Sequence, residues 1–162
     1  MTITVAIFIA ILIAITITDA KTLTIPVYYN VAIFALGVIS IWTVGGQSIL
    51  SRILGLVCIS VPMLLLVLII PGGFGFGDIK LMAAAGFFLG WKTTLVSFFI
   101  ALIAGSLWAC ILLATKKATR KDHFAFGPFL CVGMLIGLFF ANDLIAGYFK
   151  LGELIYLNIA HN

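Results

Sequence analysis

Apolar residues run along this chain in six long blocks, at approximately 2–18, 28–44, 49–71, 78–91, 93–115 and 124–141. Short polar or glycine-bearing links separate them: Asp19–Pro26, Gly45–Gln47, Gly72–Gly77, Trp91–Lys92 and Thr115–His123. No block alternates strictly between apolar and polar positions, so each reads as helix rather than strand. Crossing a hydrocarbon layer of roughly 30 Å takes about 20 helical residues. Within lipid, every backbone group must be paired inside the protein, which restricts spans to helices and closed barrels. The pattern predicts an all-α polytopic membrane protein of about six transmembrane helices, forming one domain over residues 1–162.

Two blocks and the tail depart from the simple pattern. The fourth holds 14 residues, 78–91, and covers only about 21 Å as a helix. With Trp91 and Lys92 anchoring one end at the interface, the end bearing Asp78 stops inside the membrane. Beyond 141, apolar Leu144, Ile145, Tyr148, Phe149, Leu151, Leu154 and Ile155 mingle with Asp143, Lys150 and Glu153. That tail, 142–162, reads as an interfacial amphipathic helix or a frayed end. The first block carries no Lys or Arg before Thr18. It lacks the basic start of a secretory signal and reads as a retained span.

Composition strengthens the membrane reading: 64 % of residues are hydrophobic and only 9 % are charged. A soluble surface needs about a quarter charged residues. The formal charge of +4 does not indicate nucleic-acid binding, because Lys116, Lys117, Arg120 and Lys121 cluster in one link between spans. Such clusters mark the cytoplasmic face and touch anionic headgroups. Links one, three and five carry Lys21, Lys80, Lys116, Lys117, Arg120 and Lys121, against Arg52, Lys92 and Lys150 on the other side. The balance places the odd links in the cytoplasm and the N-terminus outside. Cys58, Cys110 and Cys131 each stand alone in an apolar block, offering neither a metal site nor a disulfide framework.

The acids carry the chemistry. Of five, Asp122 lies among the loop cations, and Asp143 and Glu153 fall in the solvated tail. Asp19 and Asp78 sit at the edges of long apolar helices, where an ionised carboxylate costs several kcal/mol unless stabilised. In the six-span arrangement both reach the same membrane face. Two carboxyls at one depth can share a proton and supply an acid and a base together. Such a pair can activate water and protonate the leaving amine of a peptide. The simpler alternative is that each aspartate caps or ends a helix beside a snorkelling Lys21 or Lys80. The surroundings favour the pair. Gly72, Gly73, Gly75 and Gly77 crowd before Asp78, and irregular backbone at such depth is tolerated where it lines a cavity or is covered by protein. Pro26 follows Asp19 by seven residues and sets the start of the second span.

Gly75-Phe76-Gly77-Asp78-Ile79-Lys80-Leu81 resembles the G-x-G-D-x-K-L signature of type IV prepilin peptidases. Asp19 with Ile25-Pro26 resembles their first aspartate and its following Ile-Pro pair, and Phe126-Gly127-Pro128-Phe129 resembles their F-G-P-F element. The resemblance implies an intramembrane aspartic endopeptidase that cleaves the basic leader of prepilins or pseudopilins at the cytoplasmic face of a bacterial inner membrane. It makes Asp19 and Asp78 the catalytic residues, with Gly75, Gly77, Pro26 and Lys80 shaping the site or contacting substrate. It implies no metal and no cofactor for proteolysis. The paired CxxC motifs that accompany N-methylation in longer relatives are not in this sequence, so the resemblance is to the short form. Val27 stands where many short relatives have Asn. The spacings Gly86-xxx-Gly90 and Gly133-xxx-Gly137 fit close helix packing, including packing in a dimer. Two rival readings are a noncatalytic subunit of a pilus or secretion assembly and a small proton-coupled transporter. The transporter reading is weakened because no acid or histidine lies in the outer half of any span.

Overall fold

The computed structural model describes residues 2–44, 47–70, 74–115 and 125–160. The basic link with Lys116, Lys117, Arg120, Lys121 and Asp122, like Gly72 and Gly73, lies outside the described residues. Among the described residues there are seven helices and no strand: α1 (Thr2–Thr22), α2 (Val27–Thr43), α3 (Ile49–Cys58), α4 (Ser60–Ile69), α5 (Phe76–Leu89), α6 (Trp91–Ala114) and α7 (Gly127–Ala160). They correspond to six spans, because α3 and α4 form one broken apolar helix, Ile49–Ile69. The break has a covalent cause. Pro62 has no N–H for the carbonyl of Cys58, and its ring crowds that carbonyl. Regular bonding resumes when Met63 N–H reaches the carbonyl of Ile59 at 3.0 Å.

Four stretches are long and apolar enough to cross a membrane: Ile3–Thr22, Ile49–Ile69, Trp91–Ala114 and Gly127–Glu153. The two shorter helices, α2 and α5, complete the bundle. The 14-residue α5 is the central one, in contact with α2, α3, α4, α6 and α7. Its side chains are buried on nearly every face, Ile79, Leu81, Met82, Ala85, Phe88 and Leu89 among them. A helix sheathed in protein need not match the bilayer, which explains its length. The lipid-facing residues belong to the outer helices, as with Leu64, Leu65, Leu68 and Ile69 on α4.

Small residues let the backbones close around α5. A methyl group on either Gly55 or Gly86 would collide with the other's backbone, so α3 and α5 touch main chain to main chain. Gly133 and Gly137 on α7 lie equally tightly against Ser97 and Ala101 of α6. Both glycine spacings noted in the sequence are therefore occupied within the chain. Gly90 alone links α5 to α6 at φ 77°, a left-handed conformation that favours glycine. Trp91 and Lys92, expected as the link, instead open α6.

Arg52 departs most from expectation. Counted in the charge balance as a cation of the outer side, it is 1 % exposed. Its guanidinium donates to the carbonyls of Gly37, Ser40 and Val44, to Ser40 Oγ at 2.6 Å, and to the carbonyl of Phe87 at 3.3 Å. These acceptors belong to the C-terminal part of α2 and of α5, where the helix dipole favours a cation. Two of them have other donors as well, the Ser40 carbonyl from Val44 N–H at 2.9 Å and the Gly37 carbonyl from Ser40 Oγ at 2.7 Å. Arg52 thus fastens three helices at the end of the bundle opposite Asp78. The tail from 142 onward simply extends α7 as helix through Ala160.

Candidate active site

Asp19 lies one turn before the end of α1. Its carbonyl accepts the N–H of Leu23 at 2.8 Å, and Leu23, at φ 54°, turns the chain out of the helix. A left-handed leucine costs about 1–2 kcal/mol, offset in part by the bonds of Thr22 Oγ1 to the Thr24 carbonyl and of Thr24 Oγ1 to Thr22 Oγ1. Two residues after Leu23, Ile25 is buried, and Pro26 then caps the start of α2. The turn delivers Ile25 against the glycine run. A methyl group on Gly77 would lie 3.0 Å from Ile25 Cβ and 3.4 Å from its nitrogen. Gly77 is therefore small because the Ile-Pro turn packs on it.

Asp78 occupies the third position of α5, where its Oδ2 accepts the N–H of Gly75 at 3.2 Å. That bond is one half of a capping box, whose other half is impossible because Gly75 has no side chain. The helix-capping alternative is thus realised at Asp78, but it uses one oxygen and leaves the rest of the carboxyl for other work. Asp19 is held differently. Its Oδ2 accepts the N–H of Gly127 at 3.0 Å, across 108 residues of chain. Gly127 is the first residue of α7. A methyl group there would lie 2.9 Å from the Asp19 carboxyl carbon, so the glycine permits the backbone to reach the acid. Two helix N-termini, of α5 and α7, consequently meet the two carboxyls, and the positive end of a helix dipole favours negative charge.

Asp19 is 4 % exposed and Asp78 7 %. Their carboxyls lie within electrostatic reach of each other, and both lie within reach of Cys131 on α7. The Cys131 thiol in turn meets Thr16, one turn back from Asp19 on α1. Phe74, just before α5, meets Phe126 and Phe98 in tilted ring contacts with centroids 5.4 Å and 6.5 Å away. Gly105 on α6 makes room for the Phe126 ring.

The structure thus brings together Asp19, Asp78, Gly75, Gly77 and the Ile25-Pro26 turn, along with Gly127. It does not bring Lys80 to them. Lys80 and Lys21 are both exposed and make no ion pair among the described residues. Cys131 was read in the sequence only as a lone cysteine without a metal or disulfide role, and Thr16 carried no spacing signal at all. Among the described residues no group of three or more His, Cys, Asp or Glu is arranged to hold a metal ion.

The type IV leader peptidase family matches this chain over residues 6–110, a stretch that includes both aspartates and the glycine run. The chain belongs to that family. Its similarity to a prepilin leader peptidase/N-methyltransferase of Bacillus subtilis is 27 % identity over 149 residues, or 90 % of this chain and 58 % of the relative. Proteins of the same description from Legionella pneumophila and Escherichia coli are 38 % and 39 % identical over 46 % and 41 % of this chain, covering 26 % and 29 % of their own lengths. The chain therefore spans little more than half of one such relative and under a third of the others. No solved structure matches it. The Phe126–Phe129 element falls outside the family's matched segment, yet it supplies the backbone donor to Asp19.

Proposed function

We propose that this type IV leader peptidase family member is an intramembrane aspartic endopeptidase, with Asp19 and Asp78 as its catalytic pair. The observation that carries the reading is the convergence of two buried carboxyls at one end of the bundle, each anchored by a single backbone N–H. One carboxylate takes a proton from water as the water oxygen attacks the scissile carbonyl carbon. The protonated partner donates to the carbonyl oxygen, and on collapse the proton passes to the leaving nitrogen as the C–N bond breaks. Helix N-termini behind both acids stabilise whichever carries the charge. Gly75, Gly77 and Pro26 serve by fixing the backbone around the pair. Lys80, facing outward, serves as a headgroup anchor.

The substrate class follows from kinship. The relatives are described as prepilin leader peptidases, and the substrates proposed here are prepilins or pseudopilins bearing a short basic leader. The catalytic end faces the cytoplasm of a bacterial inner membrane, as the cation balance of the odd links suggests. The bilayer is the partner of the apolar outer faces. Self-association into a dimer would use those faces, since both glycine stripes are filled within the chain.

The test is cleavage of a peptide with a basic leader and an apolar segment by the chain reconstituted in lipid vesicles. Wild type cleaves it, and Asp19→Asn and Asp78→Asn each lose at least about a hundredfold in rate, the typical worth of a positioned acid or base. An inert wild type, or an unimpaired variant, would remove the reading.

A further inference from the structure

Asn30 is 6 % exposed on α2, and neither its Oδ1 nor its Nδ2 has a hydrogen-bond partner among the described residues. A primary amide offers two donors and an acceptor. Leaving such a group buried and unpaired costs about 1–3 kcal/mol, whereas leucine of similar size would cost nothing of the kind. The position of this unpaired amide is informative.

Two contacts fix the register of α2 against α5. At one end Ile25 packs on Gly77, and further along Gly37 packs on Phe87 and Phe88. The two helices run in the same direction, so interpolation between these contacts sets Asn30 level with Leu81 and Met82. That is one turn, about 5 Å, beyond Asp78. The stripe containing Asn30 also holds Ile33, Gly37 and Ser40, all buried. Gly37 meets α5 directly, and Ser40 meets Arg52, which also bonds the α5 carbonyl of Phe87. Asn30 therefore looks toward α5. Against α1 the register comes from Thr18 Oγ1 and Tyr29 OH, 3.4 Å apart. These are the immediate neighbours of Asp19 and Asn30. The amide is thus about one helical turn from Asp78 along α5, on a helix that Tyr29 joins to α1 beside Asp19, as buried as both acids, and with no partner of its own among the described residues.

We propose that the Asn30 carboxamide binds the main chain of the extended substrate beside the scissile bond, accepting from a backbone N–H and donating to a backbone C=O. This inference rests on the peptidase reading. A peptide unwound from a helix exposes both groups in lipid, where water does not satisfy them. An amide side chain matches them as a donor–acceptor pair. Asn30 meets the substrate only when the equally buried aspartates do.

The test uses Asn30→Leu and Asn30→Ala in vesicles, with thermal unfolding in detergent measured alongside. Asn30→Leu is expected to unfold at the same temperature as wild type or higher, while kcat/KM falls at least about tenfold, mainly through KM. A set of peptides with single backbone amides replaced by esters around the cleavage site supplies the second arm. At one position the ester is expected to slow wild type severalfold and to leave Asn30→Leu unaffected. Unchanged kinetics in both variants would overturn the proposal, as would a drop in stability for both, or an ester effect equal in wild type and variant at every position. If wild type cleaves and the aspartate variants do not, any such failure belongs to Asn30 alone. An inert wild type sinks the peptidase reading and this inference with it.

Discussion

Asp19 sits near the C-terminal end of α1, where the helix dipole disfavours a carboxylate. Its stabilisation comes instead from the start of α7, through the N–H of Gly127 at 3.0 Å. This makes Gly127 a sensitive position. Gly127→Ala would place a methyl group 2.9 Å from the Asp19 carboxyl carbon. The side chain must swing away, and displacement of a reacting group by about 1 Å costs on the order of a hundredfold in rate. The expected outcome is a folded, helical protein by circular dichroism that cleaves peptide at least about tenfold more slowly. Lys80 makes the contrast. Exposed and unpaired with either acid, it is expected to tolerate Lys80→Gln with less than a twofold change in the same assay. The acids themselves were legible in the chain, because a carboxylate at the edge of an apolar block demands an explanation. Asn30 was not, since a single amide within an apolar helix has no spacing partner. Cys131 and Thr16 were hidden for the same reason, and only the approach of α7 to α1 unites them with Asp19.

At the level of elements, the apolar blocks marked every span, and their limits shifted by a few residues except at the last, where the helix read as ending at 141 continues to Ala160. The fourth block was short in the sequence, and the fold gives the reason: α5 is wrapped by the other helices, including α1 through Phe8 against Phe88, instead of lipid. What periodicity could not disclose was the inward turn of Arg52. A cation beside a span boundary is usually at the headgroups, yet here the guanidinium fork reaches backbone carbonyls at two helix ends. Removing it takes away the five hydrogen bonds that tie α3 to the ends of α2 and α5. Arg52→Met is expected to destabilise the bundle by about 2 kcal/mol or more. Arg52→Lys should recover only part of that, since an ammonium has three donors and no planar fork. Thermal unfolding in detergent checks both. Equal stability of Arg52→Met and wild type would remove the fastening role. Gly86→Val is expected to fail similarly, by driving α5 away from the Gly55 backbone.

For the whole molecule, topology and chemistry are one question. The Ile25-Pro26 turn, the start of α5 and the start of α7 meet at one end of the bundle, while Arg52, Gln47 and Gly90 gather at the other. Sided labelling of single cysteines at Thr24 and Ala125 is expected to report the same membrane face, and at Ser48 the opposite one. Labelling of Thr24 and Ala125 from different faces would separate the acids and end the account. Sequence motifs foretold that Asp19, Asp78 and the Phe126–Phe129 element belong together. They did not foretell how, because a backbone N–H reaching a carboxylate across 108 residues leaves no mark in local composition. The most direct test of a shared mechanism is the cleavage rate of the double variant Asp19→Asn/Asp78→Asn against the two single variants. Residues acting as one unit lose their effect together, so the double variant should be no slower than the worse single one. Losses that multiply would mean the two carboxyls act independently, contrary to the pair described here.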